Sequence, residues 1–208
     1  MNEKLCQLVD DIRHCQACAE SLPFPPRPVL SARGSAKLLI VGQAPGLRVH
    51  ETGIAWNDAS GDRLRQWMGL DKALFYNAEK IAILPMGFCY PGRGASGDLP
   101  PLPQCATLWR EKLHRHLSEV KLTLLIGQYA QRYYLTKQGQ AIKPNYPGSV
   151  TDTVKHWQQY LPDFLPLPHP SPRNNIWLRN NPWFELEVLP ALRVQVARIL
   201  ESPASNVL

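Results

Sequence analysis

Residues 167–174, LPHPSPRN, place three prolines around a histidine, a serine and an arginine directly after an apolar run. Because proline fixes φ and lacks an N–H donor, this segment cannot form a helix or an inner strand. A stiff loop of this kind is poor core material, but it holds polar groups at a set angle to a ligand. A second such loop comes early, where the apolar run 38–41 leads into GQAPG at residues 42–46. Loops that follow parallel strands share one edge of a sheet, so the two are expected to converge on one cleft.

Strand-like and helix-like segments alternate along the chain. The apolar runs predict strands at 37–41, 80–84, 122–126 and 164–167, and helical spacing predicts helices at 2–18, 60–68, 104–117, 128–135, 150–160 and 183–200. Ser60 is the predicted N-cap of the second helix. This alternation predicts an α/β fold, a three-layer α/β/α sandwich with a central four-stranded parallel sheet.

Length and charge set further bounds. The 208 residues are expected to form a single domain over 1–208, large enough to bury a core. The net charge of +6 is compatible with a polyanionic partner such as DNA. No apolar run approaches the roughly 20 residues that span a bilayer, and the first residues do not resemble a signal peptide. We therefore expect a cytoplasmic protein, a monomer without membrane contact.

Four of the five cysteines have the spacing of a metal site. Cys15 and Cys18 form a CxxC pair, and Cys89 and Cys105 follow with fifteen residues between them. In a cytoplasmic protein this pattern suggests ligation by four thiolates, which suit either a [4Fe–4S] cluster or zinc. Spacing alone does not choose between the two. Cys6 is interpreted as a buried helix thiol.

The two loops and the cysteine pattern together resemble the uracil-DNA glycosylase superfamily. Its first motif has forms such as GQDPY or GEAPG, and its second is an HPSP loop after the last core strand. The four cysteines are similar to the layout of the iron–sulfur, family 4 branch. The resemblance implies the three-layer fold and a [4Fe–4S] cluster at Cys15, Cys18, Cys89 and Cys105, in a structural role.

The resemblance also implies roles for individual residues. His169 would donate a hydrogen bond to charge that develops on the base oxygen, while Gln43 and the backbone at Ala44 would face the base and the attacking water. Trp56 would stack on the base. Asn57 or Asn77 could read the edge of the base, and Asn57 is favoured because it is nearer to Trp56 in sequence. Gly42 and Gly46 permit close backbone approach in the first loop, and Pro45 between them is assigned to substrate binding. DNA contact is assigned to Ser171, Pro172, Arg173 and Asn174, with Arg173 as the wedge that fills the vacated space.

The chain departs from its relatives at two positions. The water-positioning carboxylate is absent, because Gln43 and Ala44 stand where one branch or the other has an acid; Glu51 and Asp58 are possible substitutes. The uracil-reading asparagine is also absent, and Pro85 stands in its place. A bidentate amide is the main source of selectivity for a base edge, so its loss suggests a changed substrate.

These observations predict a base-excision repair glycosylase that flips a deaminated base, uracil or a related lesion, and hydrolyses its N-glycosidic bond. The alternative is a weak or inactive protein of the same fold that binds nucleic acid. A third reading is a hydrolase of free nucleosides or nucleotides. A steep salt dependence of DNA binding would separate the first two from the third.

Overall fold

The computed structural model describes residues 3–95, 97–137, 140–141 and 146–201. The predicted start of the first helix at Asn2 lies outside the described residues. Within them the strands are β1 (Leu38–Val41), β2 (Ile81–Ile83), β3 (Arg93–Gly94), β4 (Gly97–Asp98), β5 (Leu122–Ile126), β6 (Thr136–Lys137), β7 (Gln140–Ala141) and β8 (Phe164–Leu167).

Four of these strands form the central sheet, in the order β2-β1-β5-β8. All of its pairs are parallel: Leu38 of β1 lies opposite Ile81 on one side and Leu122 on the other, and Leu124 of β5 lies opposite Leu165 of β8. The four predicted core strands are therefore confirmed, with β5 and β8 at their predicted bounds. The pairs β3–β4 and β6–β7 are short antiparallel hairpins outside this sheet.

Helices cover both faces of the sheet. They are α1 (Glu3–Arg13), α2 (Leu47–Thr52), α3 (Ala59–Met68), α4 (Lys72–Phe75), α5 (Glu111–His114), α6 (Gln128–Leu135), α7 (Val150–Lys155), α8 (Asn175–Asn180) and α9 (Leu189–Glu201). Side chains alternate along β1, so that Leu38 and Ile40 pack with α3, α7 and α9, whereas Leu39 and Val41 pack with α1, α5 and α6. Each face of the sheet thus contributes its own apolar core, which confirms the three-layer α/β/α sandwich.

Several predicted helix boundaries are wrong. α1 ends at Arg13 rather than Cys18, which leaves the CxxC pair in turns. The N-cap of α3 is Asp58 rather than Ser60, because the Asp58 carboxylate accepts a hydrogen bond from the Gly61 N–H at 2.8 Å and Ser60 is buried inside the helix. Both residue types are common N-caps, so the sequence did not separate them.

Three long predicted helices are interrupted. The segment predicted at 104–117 has a π-helical turn, Ala106–Arg110, before α5, and α9 is preceded by a similar turn at Phe184–Val188. The segment predicted at 150–160 is α7 followed by a 3₁₀ turn at Trp157–Tyr160. Short π-helical turns are frequent at functional sites, and the first of these begins directly after Cys105.

Candidate active site

Both proline-rich loops line one open cleft at the carboxyl ends of β1 and β8. Its volume is about 590 Å³, and ligand pockets commonly measure roughly 300–1,000 Å³. The cleft brings together most of the predicted site residues: Gly42, Gln43, Ala44, Pro45, Gly46, Trp56, His169, Ser171, Pro172, Arg173 and Asn174. Asn57, the predicted base reader, is half-buried and is not among the residues that line the cleft.

His169 is held in one tautomer by its own loop. The backbone N–H of Ser171 donates to Nδ1 of His169 at 3.2 Å, so Nδ1 must be an acceptor. A neutral imidazole then carries its proton on Nε2, at the other edge of the ring. Burial lowers the pKa of His169, and the nearby carboxylates of Asp58 and Asp98 oppose this only in part. The side chain is thus a neutral hydrogen-bond donor at neutral pH.

The loop around His169 is tied down at several points. The Asn174 side chain donates from Nδ2 to the His169 carbonyl at 2.7 Å, and Nη1 of Arg63 in α3 donates to the Ser171 carbonyl at 3.1 Å. The Ser171 hydroxyl accepts from the Arg173 N–H at 3.2 Å and caps a short 3₁₀ turn. Two predicted DNA contacts, Ser171 and Asn174, therefore also stabilise the loop, while the Arg173 side chain is exposed.

The Trp56 ring lies next to the His169 ring in the cleft. The two ring centroids are 5.8 Å apart and the planes are tilted by 36°. Trp56 has a positive φ of 56°, a conformation that costs a bulky residue of order 1–3 kcal/mol and persists only where the surroundings enforce it. Two glycines leave room for Trp56 in this place, because a Cβ on Gly42 would lie 2.8 Å from the indole and a Cβ on Gly61 only 1.7 Å from the Trp56 carbonyl.

Gln43 uses its amide for a structural contact. Nε2 of Gln43 donates to the Leu99 carbonyl at 2.9 Å, directly after the β3–β4 hairpin. The Arg173 side chain packs against the same hairpin: a Cβ placed on Gly97 would lie 2.6 Å from Nη1 of Arg173. Both signature loops thus contact the hairpin, which sequence reasoning missed because two-residue strands carry no periodic apolar signal.

The hairpin adds an acid to the cleft. Asp98 in β4 lines the cleft together with Asp58, and both carboxylates face Gly46: a Cβ built there would lie 3.4 Å from Oδ2 of Asp98 and 4.0 Å from Oδ2 of Asp58. Asp58 was among the substitutes considered for the absent acid, whereas Asp98 was not anticipated. Glu51, the other substitute, is exposed and is not among the residues that line the cleft.

Pro85 lines the cleft and contributes no polar side chain. Its carbonyl accepts a hydrogen bond from Nη2 of Arg110, a fully buried arginine that also donates from Nη1 to the Tyr134 hydroxyl at 3.0 Å. Arg110 thus fixes the segment after β2 from the core side. The Pro85 side chain does not replace the asparagine amide that the resemblance leads one to expect at this position.

The four predicted metal ligands line one small cavity that shares no lining residue with the cleft. Cys15, Cys18, Cys89 and Cys105 all border it, among mostly apolar neighbours, and all are free thiols. Burial raises the pKa of the Cys89 thiol to about 12, with smaller contributions from the other cysteines. No three His, Cys, Asp or Glu side chains in the described part of the chain surround a common point closely enough to hold a metal as they stand. The donor set and its enclosure nevertheless fit a four-thiolate group.

Cys6 is separate from these four. It is half-buried rather than buried, and its sulfur accepts from Nη1 of Arg33 at 2.8 Å.

Helices cover both faces of the parallel sheet, and a polar cleft lies at the carboxyl ends of its strands. This arrangement defines the class of α/β proteins that bind ligands in a crevice at the carboxyl ends of the strands. The family model for the uracil DNA glycosylase superfamily matches residues 30–193, a range that includes both signature loops. The chain therefore belongs to the uracil-DNA glycosylase superfamily, whose members act on DNA and are in general glycosylases. Cys15 and Cys18 precede the matched range. Among the described residues, no helix has the length and apolar character to cross a membrane.

Proposed function

We propose that the protein is a monofunctional DNA glycosylase that hydrolyses the N-glycosidic bond of a deaminated base, uracil or a related lesion. The observation that carries this proposal is the neutral His169, fixed as an Nε2–H donor in the cleft. As the glycosidic bond breaks, negative charge grows on the base and its carbonyl oxygen. A preorganised donor at that oxygen is worth about 10²–10³ in rate.

The remaining cleft residues supply the steps before bond cleavage. Flipping a nucleotide out of the stack costs a few kcal/mol, which the protein must offset. Trp56 stacks on the flipped base, and Gly42 lets the indole lie against the first loop. The exposed Arg173 fills the space that the base leaves. The Ser171 hydroxyl accepts a hydrogen bond from the Arg173 N–H, which leaves its own hydrogen to donate to a phosphate.

Hydrolysis without strand cleavage follows from the side chains present. A lyase needs an amine to form a Schiff base, and the described residues that line the cleft include no lysine. The product is then an abasic site and a free base.

We further propose that Cys15, Cys18, Cys89 and Cys105 hold a [4Fe–4S] cluster, with zinc as the alternative. Its contribution when bound is a covalent staple rather than chemistry in the cleft. The four thiols border a cavity apart from His169, while Cys89 and Cys105 flank the β3–β4 hairpin. A monomer in the cytoplasm is the state that we propose for the protein at work.

A second candidate function rests on Pro85. Its position lines the cleft but offers no amide to read a base edge, so a nucleic-acid-binding protein that flips bases without hydrolysing them is the alternative. It would use the same cleft, the same wedge and the same cysteines.

Single-turnover cleavage of oligonucleotides that carry uracil, hypoxanthine or xanthine tests the proposal. We expect base release from at least one substrate, and a loss of about 10²–10³ in rate in His169→Ala at unchanged DNA affinity. His156→Ala is the matched control, since His156 is exposed directly after α7 and does not line the cleft. DNA binding without release from any substrate would favour the non-hydrolytic alternative.

A further inference from the structure

The cleft contains an acid whose charge has no obvious use in binding DNA. Asp98 is exposed on β4, and within the described chain its carboxylate has neither a hydrogen bond nor an ion pair. Arg93 lies opposite it in the hairpin register but does not pair with it. An unpaired carboxylate in a groove that receives a polyanion weakens binding by like-charge repulsion. A residue that costs affinity at this position needs another role.

The hairpin holds Asp98 in a defined place. Gln43 of the first loop donates to the Leu99 carbonyl at 2.9 Å, and the Leu99 N–H donates to the Gly92 carbonyl at 2.9 Å. Arg173 of the second loop lies against Gly97. The residues on both sides of Asp98 are thus in contact with the loops that form the cleft, so the backbone that carries Asp98 is positioned relative to His169.

Asp98 is better suited than Asp58 to act on a water molecule. Both carboxylates face Gly46, at 3.4 Å and 4.0 Å from the position of its absent Cβ. One oxygen of Asp58 is already committed as the N-cap of α3, through the Gly61 N–H at 2.8 Å. Asp98 has both oxygens available, and it stands beside the loop where Gln43 and Ala44 supply no acid.

We propose that Asp98 is the catalytic carboxylate of this cleft, which orients the attacking water and takes its proton. The water oxygen forms a bond to C1′ while the bond from C1′ to the base nitrogen breaks. The bonding electron pair leaves with the base, whose carbonyl oxygen is stabilised by the Nε2–H of His169. The water proton passes to Asp98, and the departing base anion takes a proton from solvent. This inference rests on the proposed glycosylase function.

The test is single-turnover cleavage by Asp98→Asn on whichever base the unmodified protein releases. A general base contributes typically about 10²–10⁴ in rate, so we expect a loss of at least about 100-fold. DNA affinity, measured by fluorescence anisotropy, should be equal or higher, because a negative charge has been removed from the groove. Asp11→Asn on α1, an exposed acid away from the cleft, should behave like the unmodified protein.

Two further variants separate chemistry from structure. In Asp98→Ala, added formate should restore part of the lost rate, because a small carboxylate can occupy the vacated space; a merely structural role would not respond. In Asp58→Asn, the amide oxygen still caps α3, so we expect a smaller loss than in Asp98→Asn.

The outcomes are distinguishable from failure of the proposed function. An unmodified protein that releases no base overturns both proposals. Base release that depends on His169 but is unchanged in Asp98→Asn leaves the glycosylase function standing and overturns this inference. A loss of rate confined to Asp58→Asn, with a normal thermal transition, also overturns it and assigns the water to Asp58.

Discussion

At the scale of single residues, chemistry in the cleft depends on how its side chains are fixed rather than on their identity alone. A histidine in a proline-rich loop could have either tautomer, and the Ser171 N–H selects one of them. The identity of His169 and Trp56 as site residues was predictable, since both belong to motifs. The position of Asp98 in the cleft was not predictable, because it depends on the β3–β4 hairpin, whose two-residue strands have no apolar periodicity. Asn57 was expected in the cleft for its nearness to Trp56 in sequence, but its neighbours Trp56 and Asp58 line the cleft and Asn57 does not.

The tautomer of His169 leads to a prediction about pH. Protonation would place a hydrogen on Nδ1, opposite the Ser171 N–H, and would destroy the contact that holds the ring. Because burial lowers the pKa of His169 from its usual 6.5, the neutral form persists as the pH falls below that value. The single-turnover rate should therefore stay level from about pH 7.5 down to about pH 6.5 and decline only in more acidic solution.

The lowered pKa of His169 also predicts how the free energy of unfolding depends on pH. A histidine whose folded-state pKa is depressed contributes stability above its unfolded value and loses it as the pH falls through the folded value. The free energy of unfolding should thus decrease on acidification less steeply in His169→Gln than in the unmodified protein. In the kinetic experiment, a single-turnover rate that already falls by half at the ordinary histidine pKa of 6.5 would contradict the lowered pKa of His169.

At the scale of elements, the strands and the helices differ in how far the sequence determined them. The core strands are continuous apolar runs covered on both faces, so their pattern depends on burial alone and their predicted places are correct. The ends of a helix depend on which of several suitable residues forms the cap. For α3, both Asp58 and Ser60 are suitable N-caps, and Asp58 is the one used. The π-helical turn before α5 ends at the buried Arg110, whose partners Pro85 and Tyr134 lie far away in sequence, and apolar spacing does not show such contacts.

The start of α3 carries a prediction about Trp56. Gly61 lies under the Trp56 carbonyl, where an added Cβ would be 1.7 Å away, and this contact cannot be relieved by rotating a side chain. Gly61→Ala should therefore lower the free energy of unfolding by at least about 1–3 kcal/mol, as overpacking does, and displace Trp56 from the cleft. Chemical denaturation and the base-release rate measure the two effects.

Gly42→Ala provides the comparison. Its Cβ would meet the edge of the Trp56 indole at 2.8 Å rather than backbone, so we expect a smaller loss of stability but a clear loss of base release. Equal stability of Gly61→Ala and the unmodified protein would contradict the prediction that the Trp56 carbonyl leaves no space for a side chain at position 61.

At the scale of the whole molecule, the proposed cluster would connect parts of the chain that the sheet does not. Cys15 and Cys18 follow α1, whereas Cys89 and Cys105 flank the hairpin that carries Asp98. Without a metal the Cys89 thiol is protonated, since burial raises its pKa to about 12. Binding of a metal therefore displaces protons and replaces four separate thiols by one cross-link.

Loss of that cross-link should be visible in stability and in catalysis together. We expect Cys89→Ser and Cys105→Ser to lose bound metal, to melt at a lower temperature and to release base more slowly, because the hairpin loses its anchor. In a chain of this size each kcal/mol of lost stability lowers Tm by roughly 2–4 °C. Cys6→Ser is the matched control, since Cys6 lies outside the cavity and this variant should retain full metal content.

Iron and acid-labile sulfide in the purified protein would identify a [4Fe–4S] cluster, and zinc without sulfide the alternative. Full metal content in both variants would contradict the four-cysteine assignment, and an unchanged Tm after metal loss would contradict the structural role.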